Sequence, residues 1–171
     1  MSNRPLAVTG LALALGAAAL SACAPTTSGG LPYAAPAAFN ERDFGWSQMP
    51  GRNSIQGQIA FARDGKAFDC VGNVGLTPDT PYTRARFRTL YGSTQRAAVP
   101  ATVVRARTVA DANADYRTYV RDTRCENSRF RFDGLPDGGW FLIVPVTSGD
   151  APLVLMQSVQ TRGGRVVSVT L

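Results

Sequence analysis

Of the side chains that do chemistry in proteins, this sequence offers three Cys, twelve carboxylates and seventeen Arg beside a single Lys, and not one of its 171 residues is His. The missing imidazole removes Ser-His-Asp and Cys-His catalysis, His-ligated zinc and the commonest general base together. Two well-placed acids would still suffice for glycoside hydrolysis. The candidates are Asp64, Asp69, Asp79, Asp133 and Asp137, and all sit at turns or strand ends, where Asp commonly accepts hydrogen bonds from nearby backbone. Turn chemistry is therefore the better reading, with a hydrolase using paired Asp as the rival. No EF-hand loop and no C-x-x-C occurs. No metal and no cofactor is expected.

Positive charge is the other chemical signal. Residues 84–131 hold eleven Arg against Asp111, Asp115, Asp122 and Glu126. Such clustering first suggests nucleic acid, although a genome that spells basic residues as Arg would give the same ratio. Alternation over Arg117–Thr123 and Arg129–Phe132 predicts a hairpin with Val120, Phe130 and Phe132 inward. It leaves Arg117, Arg121, Arg129 and Arg131 outward around Tyr119 as a possible anion-binding face. Arg121 directly opposite Arg131 would repel it by a few tenths of a kcal/mol, roughly. A solvated, salt-screened face with no ligand is the competing account.

These residues need elements to position them. Arg129–Val146 reads as a strand, a turn cluster Asp133-Gly-Leu-Pro-Asp-Gly-Gly139 and a fully buried strand from Trp140, together a hairpin. Upstream, Ile55, Gly57, Ile59 and Phe61 alternate with Ser54, Gln56 and Gln58. Asp64-Gly65 turns the chain, and Phe68–Leu76 predicts a second strand with Cys70, Gly72, Val74 and Leu76 on one face. Thr80 as N-cap, Pro81 at the first position and Gly92 at the end delimit a short helix. Its stripe is Thr83, Phe87, Leu90 and Tyr91, with Arg84, Arg86 and Arg88 left to solvent. Residues 93–115 give no clear pattern. Tyr116, Thr118 and Val120 alternate as a strand. The last residues predict a hairpin closed by a three-residue loop at Arg162-Gly163-Gly164, with Gly164 left-handed and Leu153, Leu155, Val159, Val167, Val169 and Leu171 on one face.

The hairpin from Arg129 resembles the closing hairpin of carboxypeptidase regulatory-like domains, whose pattern is G-x-F-x-F-x-x-L-P-x-G-x-Y. Phe130, Phe132, Leu135, Pro136 and Gly138 match, Trp140 takes the Tyr place, and Ser128 stands where the pattern has Gly. Val74-Gly-Leu76-Thr-Pro is similar to a V-x-L-T-P stretch of bacterial lipoproteins of this kind. The resemblance implies a mainly β, transthyretin-like (prealbumin-like) Greek-key sandwich over 51–171 with one short helix inserted, and it implies no ligand. The hydroxyisourate hydrolase that shares such folds relies on His, which this chain lacks.

Before the domain, Leu6–Leu20 is an apolar run suited to a signal peptide. Leu20-Ser-Ala-Cys23 resembles the lipoprotein box, which implies removal of 1–22, acylation of Cys23, and 23–50 as a flexible tether. Ala24 after the Cys favours the periplasmic face of the outer membrane. Phe44 and Trp46 are exceptional in a linker and are expected to dock on the domain. Export puts Cys70 and Cys125 in an oxidising compartment as an even pair, either a disulfide or two buried thiols. Behind such a signal nucleic acid is the wrong partner. An anionic envelope glycan or an acidic envelope protein fits better, with an accessory subunit of an envelope export or assembly machine as a further alternative. The sequence thus predicts a membrane-tethered, non-enzymatic binding or scaffolding module.

Overall fold

The computed structural model describes residues 37–109 and 115–171, so Cys23, the leader and the first part of the tether lie outside the described residues. Chain order begins with two short 3-10 turns, Glu41–Asp43 and Gly45–Gln48, followed by β1 (Asn53–Gln58). A small ribbon follows, β2 (Ala62–Arg63) with β3 (Lys66–Ala67), turned at Asp64-Gly65 with both residues at positive φ, as the sequence predicts. Next come β4 (Asp69–Cys70), β5 (Asn73–Pro78), α1 (Pro81–Tyr91), β6 (Arg96–Pro100) and α2 (Ala101–Ala106). After a 3-10 turn at Asp115–Tyr119, the chain closes with β7 (Arg121–Arg124), β8 (Arg129–Leu135), β9 (Gly138–Thr147), β10 (Leu153–Thr161) and β11 (Val166–Thr170). Among the described residues no helix is long and apolar enough to cross a membrane.

The strands form two main sheets, ordered β11-β1-β8 and β6-β10-β9-β5-β7, with β4 also on β9. Their facing apolar sides share one core: Ile55, Phe130, Phe132 and Val169 from the first, Leu76, Trp140, Leu142, Val144 and Leu155 from the second. β9 is buried on both faces, since Phe141 points away from that core into a second cluster with Met156 and with Phe87 and Tyr91 of α1. That explains its unbroken apolar run. Helix α1 starts where predicted: the Thr83 N–H donates to Thr80 Oγ1 and the Thr80 N–H to Thr83 Oγ1, and Gly92 ends it at φ 74°. Thr83 thus fills the reciprocal role usual for Glu.

Several local expectations are corrected. Phe68–Leu76 is interrupted at Gly72 (φ 74°), so β4 and β5 lie in turn along the same edge of β9. In place of the strand expected over Tyr116–Val120 there is a 3-10 turn, Asp115–Tyr119. The predicted pairing of Arg117–Thr123 with Arg129–Phe132 does not form: β7 pairs with β5 and β8 with β1, in different sheets. Arg121 therefore never faces Arg131. β8 and β9 are likewise no hairpin, because the turn cluster between them carries the chain from one sheet to the other. The same holds at the C-terminal end, where β10 stays in the large sheet while β11 crosses to pair in parallel with β1. Gly164 is left-handed as expected (φ 69°), and Gly163 with it. Arg86 is half-buried rather than left to solvent: its Nη1 donates to the Tyr82 hydroxyl (3.1 Å) and its guanidinium lies 4.8 Å from the Tyr116 ring centroid. In 93–115, Ala97–Val99 form the middle of an edge strand against β10.

One common physical reason underlies the pairing errors. Alternation reports which face of a strand is buried, but both sheets bury into one core, so the apolar pattern is the same whichever sheet a strand joins.

Candidate functional site

The outward face of β11-β1-β8 gathers a set of exposed polar side chains. Register places Gln56 between Ser168 and Arg131, and Gln58 between Thr170 and Arg129. Cross-strand partners share a face, so two rows of hydroxyl, amide and guanidinium run across the sheet. All six residues are exposed. Thr123, Arg124 and Glu126 wall one side, enclosing an open depression of about 740 Å³.

The fold positions this face from below. Gly57 sits opposite Phe130 on the inner side, and a Cβ at Gly57 would lie 1.9 Å from the Phe130 ring. Removing that Cβ lets the ring lie flat across the strand, so β1 and β8 stay closely paired over a full core. Arg129 is aimed by the tight turn Asn127-Ser128, both at positive φ, with Glu126 and Arg129 exchanging backbone hydrogen bonds across it. Ser128 occupies φ 57° and donates its hydroxyl to Asp69 (2.8 Å).

The charges on this face differ in their partners. Arg131 Nη2 lies 2.7 Å from Asp133, whose carboxylate also accepts from the Ser54 hydroxyl at 2.6 Å. Arg131 first, then Ser54, hold Asp133 below the usual carboxylate range, and Asp133 in turn raises Arg131. Arg124, Glu126 and Arg129 make no side-chain hydrogen bond or ion pair among the described residues. The depression therefore offers two uncommitted guanidinium groups, each with a planar fork of donors that matches a carboxylate or phosphate, beside amides and hydroxyls that can exchange hydrogen bonds with sugar hydroxyls.

Of the five residues expected to bind anions, the structure brings together only Arg129 and Arg131. Arg124, which the sequence reading left out, joins them, and its spacing of two from Asp122 and Cys125's neighbour Glu126 gave no sign of it. Arg117 is exposed on the 3-10 turn Asp115–Tyr119. Tyr119 donates to Glu41 (2.9 Å) and packs 4.9 Å from Phe44, and the Glu41 hydrogen bond raises its pKa. Arg121 is half-buried: Nη2 donates to the Ser47 carbonyl (2.7 Å), Nη1 to the Gly134 carbonyl (3.4 Å), and the guanidinium lies 5.7 Å from the Trp140 ring centroid. Burial lowers its pKa. Tyr119 and Arg121 thus hold the 41–48 segment, whose Phe44 is fully buried and whose Trp46 meets Trp140 edge-on at 4.9 Å. Docking of both aromatic residues is as expected.

Four of the five candidate Asp have structural partners, Asp133 among them, and Asp64 sits in the β2–β3 turn at positive φ. Asp69 accepts from Ser128, and Asp79 pairs with Arg84 at the start of α1. Asp137 accepts from Asn53 Nδ2 (2.8 Å) and the Gly163 N–H (2.9 Å), which hold it below the ordinary range, Asn53 first. Among the described residues there is no group of three or more His, Cys, Asp or Glu that could hold a metal. Cys70 and Cys125 form a disulfide with Cα atoms 6.1 Å apart.

No protein-family model matches the chain. No curated protein matches it in sequence. Among solved structures it is similar to the crystal structure of a candidate carbohydrate-binding protein from Pseudomonas aeruginosa, with a TM-score of 0.51 and 22% identity over 79% of this chain and 99% of that one. At that identity the likeness shows a shared fold: a mainly β domain with strands in several sheets.

Proposed function

We propose that this chain is a non-enzymatic binding module of the cell envelope, of transthyretin-like and carboxypeptidase regulatory-like type, that is acylated at Cys23 and takes an anionic glycan on the outward face of β11-β1-β8. The observation that carries this reading is the pair of uncommitted guanidinium groups, Arg124 and Arg129, set among Gln56, Gln58, Ser168 and Thr170. Guanidinium groups supply the charge, and amides and hydroxyls the sugar contacts. The carbohydrate binding ascribed to the Pseudomonas aeruginosa protein supports the same ligand class. Removal of the leader and acylation of Cys23 would place the face at the periplasmic side of the outer membrane.

The test is retention on immobilised acidic envelope glycans at low salt. Wild type is retained and released as salt rises. Arg124→Glu with Arg129→Glu abolishes retention at an unchanged melting temperature, since neither side chain has a partner in the fold. Equal retention of the double variant would overturn the reading. Arg121 is unsuited to this test because it holds the 41–48 segment.

A further inference from the structure

We propose a second binding site, independent of the outward face: the cleft between the β6–β10 edge and the side chains of Phe61 and Leu171 takes a small apolar alcohol that also carries a carboxylate. The cleft measures about 230 Å³, below the roughly 300 Å³ at which pockets for drug-sized ligands begin, so it suits a single substituted ring. Its walls are apolar: Phe61, Ala98, Leu155 and Leu171. Phe61 is fixed edge-on against buried Phe68 at 5.4 Å.

Gln157 breaks this wall. It stands on β10 between Leu155 and Val159, both buried, at an inward position where the pattern of the strand calls for an apolar side chain. Its Oε1 is buried and has no hydrogen-bond partner among the described residues. A buried acceptor without a partner forfeits its hydration, and an uncompensated amide in an apolar wall asks for a polar group from outside the chain. A hydroxyl meets the need in either orientation of the amide, because it both donates and accepts.

Charge at the mouth adds the second requirement. Arg96 is the cross-strand partner of Gln157, so its side chain leaves the sheet on the same face, and it is exposed with no side-chain partner among the described residues. Arg63 crosses the opening, with its guanidinium 5.4 Å from the Phe61 ring centroid and Nη2 donating to the Ala98 carbonyl at 3.2 Å. An apolar body in the cleft would thus meet an amide at its inner end and a free guanidinium at its outer end.

Three probes separate these terms: toluene, benzyl alcohol and para-hydroxymethylbenzoate, each titrated into the full chain and followed by the methyl resonances of Leu155 and Leu171. Benzyl alcohol is expected to bind about tenfold more tightly than toluene, the size of one hydrogen bond to a buried acceptor, and the benzoate more tightly again at low salt. Gln157→Leu should reverse the order of the first two probes, and Arg96→Ala should remove only the carboxylate's gain. The leucine variant places an apolar side chain at an inward position, so it is expected to fold. Absence of shifts with all three probes, or an unchanged preference for the alcohol in Gln157→Leu, would overturn the proposal, and neither result bears on glycan retention by the outward face.

Discussion

Arg121 and Arg129 look alike in the sequence, each outward in an alternating run, and they do opposite things. Arg121 donates to two backbone carbonyls over an indole, whereas the Arg129 side chain makes no hydrogen bond or ion pair among the described residues. Arg121→Ala is expected to cost about 1–2 kcal/mol, the worth of a charged hydrogen bond with its packing, and to loosen the 41–48 segment. Chemical denaturation together with the emission of Trp46 will show both effects, while Arg129→Ala should show neither. Asn53 is a second residue whose role exceeds its appearance. Fully buried, it donates to the Leu135 carbonyl and to Asp137 and accepts from the Arg165 N–H, joining β1 to the β8–β9 and β10–β11 crossings between the sheets. Asn53→Ala should lower stability by about 2–4 kcal/mol, because several buried partners lose their bonds at once. The Asp137 carboxyl in this node has a folded pKa below its unfolded value. Its contribution is therefore complete above the unfolded pKa of roughly 4 and is lost as pH falls through the lower folded value. Asp137→Asn should flatten the acid limb of the melting temperature against pH, and an unchanged limb would contradict this assignment.

At the level of elements, the strands of β1, β8 and β9 and the helix α1 were legible because their signals are local: Ile55, Gly57 and Ile59 alternate, and Thr80, Pro81 and Gly92 mark the helix. β6 was not legible, since Ala97 and Ala98 prefer a helix to a strand, and it is pairing with β10 that makes them a strand. Tyr116, Thr118 and Val120 alternate, yet they form a tight turn whose rings serve α1 and the 41–48 segment: Tyr116 against Tyr82, Tyr119 against Phe44. The candidate site was half legible. Periodicity identified Arg129 and Arg131 as outward, but Gln56, Gln58, Ser168 and Thr170 join them only through the partners that β1 chooses. Two substitutions test the element that bears this face. Gly57→Ala must displace the Phe130 ring and should cost about 2–3 kcal/mol by overpacking. Ser128→Gly relieves a left-handed backbone but loses the hydroxyl's bond to Asp69, so its stability should change by less than about 1 kcal/mol in either direction. Equilibrium unfolding of the two variants should therefore differ plainly.

For the molecule as a whole, the disulfide links residues 55 positions apart, tying the strand along β9 to the end of β7. Replacing both Cys70 and Cys125 by Ser should cost ~4 kcal/mol in the chain-entropy model, measured as the shift in denaturation midpoint, and adding reductant to wild type should reproduce it. The proposed tether has its own test: Cys23→Ala is expected to abolish metabolic labelling by a fatty acid and to release the chain from membranes or leave its precursor unprocessed, and an unlabelled wild type would end that part of the proposal. The parallel pairing of β1 with β11 carries a further consequence, for the order of events during synthesis. β1 leaves the ribosome well before one of its two neighbours, Val166–Thr170, which emerges only after β2 to β10 have been made. Between those moments the chain holds Ile55 and Gly57 without half of their sheet, so the small sheet cannot close until Val166–Thr170 has been synthesised. A nascent chain stalled before Val166 should accordingly remain open to protease within 53–58, and one stalled well beyond Leu171 should become resistant. A polypeptide that withholds one partner of an early strand in this way keeps that part of itself threadable until the partner has been made.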